Sequence, residues 1–119
     1  MGRRTEERDV RDFHSIDLRG TGVVTVIQGD SERLTVEADE RTLPEIETVV
    51  VDGVLRLGFK RTIGFAWRPG TIHFEVWMRE IRGLRVSGAG DIRCNRVRAD
   101  ALELRVSGSG SIDLDHVEA

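Results

Sequence analysis

An all-β, solenoid-like architecture follows from three features of this sequence. Apolar residues alternate with polar ones along most of its length, glycine-rich turns separate the alternating runs, and a 20-residue repeat closes the chain. Alternation with period two is the mark of a strand with one buried face. The first runs are Ile16–Leu18, Val24–Val26 and Leu34–Val36. Residues 39 to 46 are the one helical candidate, a single turn ahead of Pro44. Val49–Val51 and Val54–Leu57 then flank Asp52-Gly53, a pairing of residue types that favours a tight hairpin. Leu55, Leu57 and Phe59 continue the second of these runs. Further on, Ile72, Phe74, Val76 and Met78 alternate with Thr71, His73, Glu75 and Trp77. Gly20-Thr21-Gly22, Gly29-Asp30-Ser31 and Pro69-Gly70 supply turns between the runs.

The repeat is the strongest of the three signals. Leu84-Arg85-Val86-Ser87-Gly88-Ala89-Gly90-Asp91-Ile92 matches Leu104-Arg105-Val106-Ser107-Gly108-Ser109-Gly110-Ser111-Ile112 at an offset of 20, and 9 of the 16 positions from Leu84 to Ala99 are identical. A fixed period near 20 suggests stacked coils of short strands joined by corners. Residues 1–119 then form one domain, with two tandem coils over 83–119. Gly20, Gly22, Gly88, Gly90, Gly108 and Gly110 are the expected corners, since glycine alone enters positive φ without steric cost. In the stack, Ser87 lies over Ser107, Ile92 over Ile112 and Cys94 over Leu114, which places Cys94 inside as an apolar residue. A weaker copy, Ile16-Asp17-Leu18-Arg19-Gly20-Thr21-Gly22, is offset by 68 and so is expected to lie outside a uniform array. The competing arrangement is an ordinary sandwich with two similar hairpins. Hairpins seldom keep so long a side-chain match, and the solenoid is preferred.

Composition excludes several function classes. Cys94 is the lone cysteine, so no intrachain disulfide or paired-cysteine metal site can form. No apolar run reaches the roughly 18 residues of a membrane span, and residues 1–7 lack the apolar stretch of a signal peptide. A cytoplasmic protein and an exported one with its leader removed both fit. The net charge of −3 names no partner, and arginines scattered among acids disfavour nucleic acid.

Phe13-His14-Ser15-Ile16-Asp17-Leu18-Arg19-Gly20-Thr21-Gly22, Val24-Thr25-Val26-Ile27-Gln28-Gly29-Asp30 and Leu34-Thr35-Val36-Glu37-Ala38-Asp39 form an ordered set. Leu43-Pro44, Asp52-Gly53-Val54-Leu55 and the Leu84–Ile92 motif continue it. In this order the chain resembles the head GIN domain family, also called auto-transporter adhesin domains. The resemblance implies a right-handed β-helix-like fold and export to the bacterial cell envelope, with no established activity. Members usually continue with further Ser-Gly-Ser-Gly-Asp coils, whereas this sequence stops at Ala119.

No residue set argues for catalysis, a metal or a cofactor. Asp113 and Asp115 share a strand face, but Asp91 aligns with Ser111 and Asp113 with Arg93, so no acidic ladder recurs between the copies. His14, His73 and His116 share no ligand spacing. The Gly-x-Gly pairs precede strands and not helices, which removes a dinucleotide-binding loop. Phe65, Trp67, Arg68 and Trp77 are the candidate interface, a patch for protein contact or sugar stacking. The last repeat also exposes strand edges that template pairing with another chain. The reading is a non-enzymatic envelope adhesion or assembly module that self-associates into homo-oligomers through solenoid edges. A carbohydrate-binding or carbohydrate-cleaving β-helix and a cytoplasmic self-assembling scaffold are the alternatives. A surface glycan or protein is the other expected partner.

Overall fold

The computed structural model describes residues 2–60 and 70–118. Eleven strands are found among them: β1 (Arg3–Arg8), β2 (Ser15–Gly20), β3 (Val23–Gln28), β4 (Arg33–Asp39), β5 (Ile46–Val51), β6 (Val54–Phe59), β7 (His73–Met78), β8 (Gly83–Gly88), β9 (Asp91–Arg98), β10 (Glu103–Gly108) and β11 (Ser111–Glu118). A single 3₁₀ turn covers Leu43–Glu45. The expected helical turn therefore includes Pro44 and does not precede it, because proline's fixed φ and missing N–H suit the first turn of a helix, where that N–H has no intrahelical partner.

Two open, mixed sheets share one apolar core in a sandwich-like arrangement. The six-stranded sheet runs β1-β4-β7-β3-β9-β11 and the five-stranded sheet runs β10-β8-β2-β6-β5. Leu18, Leu55, Leu57 and Val86 meet Val24, Val36, Phe74, Val76 and Ile92 between them. The β-helix expected from sequence is corrected at this level: antiparallel strands flank the parallel ones in both sheets, and neither sheet closes. The antiparallel strands come from the segments before β2 and between β3 and β8, which carry no repeat.

The parallel part obeys the repeat. β10 pairs with β8 and β11 with β9, placing Ser107 beside Ser87, Ile112 beside Ile92 and Leu114 beside Cys94. The two copies are thus parallel neighbours and not hairpins. The weak upstream copy is also in register, with Ile16 beside Leu84, Leu18 beside Val86 and Gly20 beside Gly88. Its offset of 68 does not exclude it from the array, because the chain leaves after β3 and returns at β8. β6 and β7 pair in parallel with β2 and β3 on the other side.

The corners stack by backbone hydrogen bonds. Ala89 N and Gly90 N donate to Gly20 O at 3.1 and 3.0 Å, and Ser109 N and Gly110 N donate to Gly88 O at 3.0 Å each. Gly20, Gly88 and Gly108 have φ of 102°, 130° and 109°. Gly90 and Gly110 have ordinary φ, and their constraint is space: a methyl group on Gly110 would collide with the Gly90 carbonyl. At the other turn, Asp52 and Gly53 both have positive φ, the backbone of a tight hairpin between β5 and β6.

β1 has no apolar residue, so alternation could not reveal it. It is an edge strand on β4 carrying charges, and Arg33 pairs with Glu7 at 3.0 Å across that edge. Arg8 ties it to the 3₁₀ turn by donating to Leu43 O at 2.8 Å and Ile46 O at 3.0 Å.

Candidate functional site

The strand register creates three surfaces with distinct chemistry. On the outer face of the six-stranded sheet, Trp77 lies between Arg33 on β4 and Ile27 on β3. The Arg33 guanidinium sits 5.2 Å from the Trp77 ring centroid. Trp77 is half-buried there and Ile27 exposed. Of the sequence-derived interface, Phe65, Trp67 and Arg68 lie outside the described residues.

On the outer face of the five-stranded sheet, register aligns Arg56, Asp17, Arg85 and Arg105 in one row across β6, β2, β8 and β10. Each is the middle residue of an apolar-x-apolar triplet: Leu55-Arg56-Leu57, Ile16-Asp17-Leu18, Leu84-Arg85-Val86 and Leu104-Arg105-Val106. Linear reading finds the arginines scattered, because neighbours in this row are 20 to 68 residues apart in sequence. The shared triplet position is the signal that could have found them. Asp17 is buried, and its Oδ2 accepts from Arg19 Nε at 3.1 Å. Asp17 Oδ1 and Arg56 Nε are buried with no hydrogen-bond partner among the described residues.

The third surface is the end of the stack. β10 and β11 are the terminal strands of their sheets. Leu104 and Val106 are 46% and 47% exposed, whereas their counterparts Leu84 and Val86 are 1% and 0%. Val117 is 58% exposed and its counterpart Val97 is 0%. The same apolar pattern that fills the core is thus left uncovered at this end.

No arrangement for chemistry appears among the described residues. No group of three or more His, Cys, Asp or Glu could hold a metal ion there. Asp91 accepts from Ser111 Oγ at 2.7 Å, and Asp113 lies beside Arg93 in register. His14 packs over Gly53, and its Nδ1 is 2.9 Å from Ser15 Oγ. The Cys94 thiol is buried, which raises its pKa, and repulsion from Asp115 adds to the rise. A thiol held protonated is a poor nucleophile. No helix among the described residues is long and apolar enough to cross a membrane.

Residues 12–119 match the family described as "Putative auto-transporter adhesin, head GIN domain", and the chain belongs to that family. The fold is shared with a "putative adhesin" from Bacteroides fragilis (20% identity, TM-score 0.86, covering 95% of this chain and 53% of that one). It is shared with a "Putative lipid binding protein" from Parabacteroides distasonis (22% identity, TM-score 0.86, covering 97% and 50%). A "putative adhesin" from Parabacteroides merdae is also similar (20% identity, TM-score 0.77, covering 97% and 57%). The chain therefore spans about half the length of these solved proteins. No curated protein matches it.

Proposed function

We propose that this chain is a non-enzymatic adhesion or assembly module of the cell envelope, and that it joins another β-structured chain through the β10–β11 end. The family supports the envelope role. The observation that carries the assembly role is the exposure of Leu104, Val106 and Val117, positions whose counterparts one repeat earlier are buried. A strand added beside β10 or β11 satisfies their free N–H and C=O groups and covers these side chains together. The opposite end supplies the precedent within the molecule. There β4 and β5 pair antiparallel to β7 and β6 and cover the stack. A second copy of the chain carries the same edges, and a two-fold contact between two such ends is self-complementary.

In this reading the parallel strand pairs form a stack covered by antiparallel strands at one end and paired with a second copy at the other. Multi-angle light scattering over a concentration series tests it. The expected result is a mass that rises above the monomer with concentration and a shift toward monomer in Val106→Lys. A strictly monomeric species at every concentration overturns it.

A further inference from the structure

The arginine row occupies the outer face of the five-stranded sheet, opposite the face that carries Leu84, Val86, Leu104 and Val106, and asks for a partner of its own. Arg85 and Arg105 are in-register neighbours on parallel strands, about 4.8 Å apart along the sheet. Like charges directly opposite one another destabilise a sheet unless an anion lies between them. Arg105 is partly compensated by Glu103 at 3.0 Å. Arg85 is exposed and has no hydrogen-bond or ion-pair partner among the described residues. Asp17 stands between Arg56 and Arg85 but spends one oxygen on Arg19, while its Oδ1 and the Arg56 Nε remain buried and unmatched among the described residues. These groups line an open cleft of about 260 Å³. Four arginines (Arg19, Arg56, Arg85, Arg105) face two acids (Asp17, Glu103), an excess of positive charge on a chain whose net charge is −3.

We infer that this cleft binds a linear acidic polysaccharide, with sugar carboxylates bridging Arg85 and Arg105 and the chain running along the row toward Arg56. The geometry selects this partner over other polyanions. The row runs perpendicular to the strands, so its charges recur at the interstrand spacing, which suits a polymer carrying one carboxylate per sugar. Among the described residues no aromatic ring lines the cleft, and single-stranded nucleic acid needs such rings for base stacking. Hydroxyl groups of the sugar can donate to the exposed Glu103 carboxylate, a role that a phosphate or sulfate oxygen cannot fill. The arginine forks bind carboxylates in bidentate fashion. The inference stands apart from the end-face pairing.

The test is titration of the chain with sodium polygalacturonate, with neutral dextran, a thymidine oligonucleotide and anionic lipid vesicles as comparison probes. Binding to polygalacturonate that weakens with added salt and is absent for dextran is the expected result. Arg85→Glu and the milder Arg85→Gln, both at an exposed position, should weaken that binding by about tenfold or more. Arg93→Glu on the outer face of the other sheet should leave it within about twofold, since surface charges at that distance are screened. Circular dichroism confirms that each variant is folded. Unchanged binding in folded Arg85→Glu overturns the assignment, and so does equal or tighter binding of the oligonucleotide or the vesicles. Sedimentation of Arg85→Glu reads end-face association separately, because Arg85 lies on a strand paired on both sides.

Discussion

Gly88 shows how little freedom single positions in the corners have. Its φ is 130°, and a methyl group there would lie 2.8 Å from the Gly20 carbonyl oxygen. Gly88→Ala should therefore destabilise the chain by about 1–3 kcal/mol through backbone strain alone. Gly29 is the matched control: its φ is ordinary and a methyl group there would meet nothing within 4 Å, so Gly29→Ala should be close to neutral. Urea unfolding midpoints distinguish the two. Cys94 makes a second test. Its thiol pKa is raised by burial in the folded chain. A raised folded pKa means that the thiol contributes stability in full below the unfolded-state value and loses it as pH rises through the folded one. Stability should thus fall as pH climbs from the ordinary thiol range upward, and Cys94→Ala should flatten that slope. Native Cys94 should also react with a thiol reagent far more slowly than the urea-unfolded chain does.

The strands differ in how far their residues announce them. β7 and β10 are plain from alternation, and the β5–β6 hairpin is plain from Asp52-Gly53. The stacking of β10 on β8 is equally plain, because identical residues at a fixed offset pair best in register. β1 gives no signal, since Arg3–Arg8 buries no apolar side chain and is placed by ion pairs to β4. The joining of β2 to β8 is also hidden: an offset of 68 looks irregular until the excursion through β4–β7 is seen to return to the same edge. The arginine row is illegible for the same reason, since its members meet only through strand pairing. Alternation with Phe74, Val76 and Met78 puts Trp77 on an outer face, as the structure does, but its neighbours Arg33 and Ile27 come from other strands. Position within the stack then decides the energetic weight of identical residues. Leu84→Ala, in a fully buried site on β8, should cost about 2–5 kcal/mol. Leu104→Ala, the same residue of the next repeat, is half exposed on β10 and should cost well under half as much in the monomer. Denaturant unfolding at low protein concentration measures both.

At the scale of the whole molecule, the strands form a stack whose two ends are treated differently. One end is covered by antiparallel β4 and β5, with charged β1 along the outer edge of β4. At the other, β10 and β11 are the terminal described strands, and their apolar side chains are of the kind the repeat buries beneath a neighbouring strand pair. Under the proposed assembly role, the β10–β11 end is the face that gains a strand from a second copy. Hydrogen–deuterium exchange at low and high protein concentration tests that account at the strands concerned. Added protection at high concentration confined to β10 and β11, and absent in Val106→Lys, is the expected result. Protection that stays the same at both concentrations, or that rises at β1 and β5 instead, would contradict it.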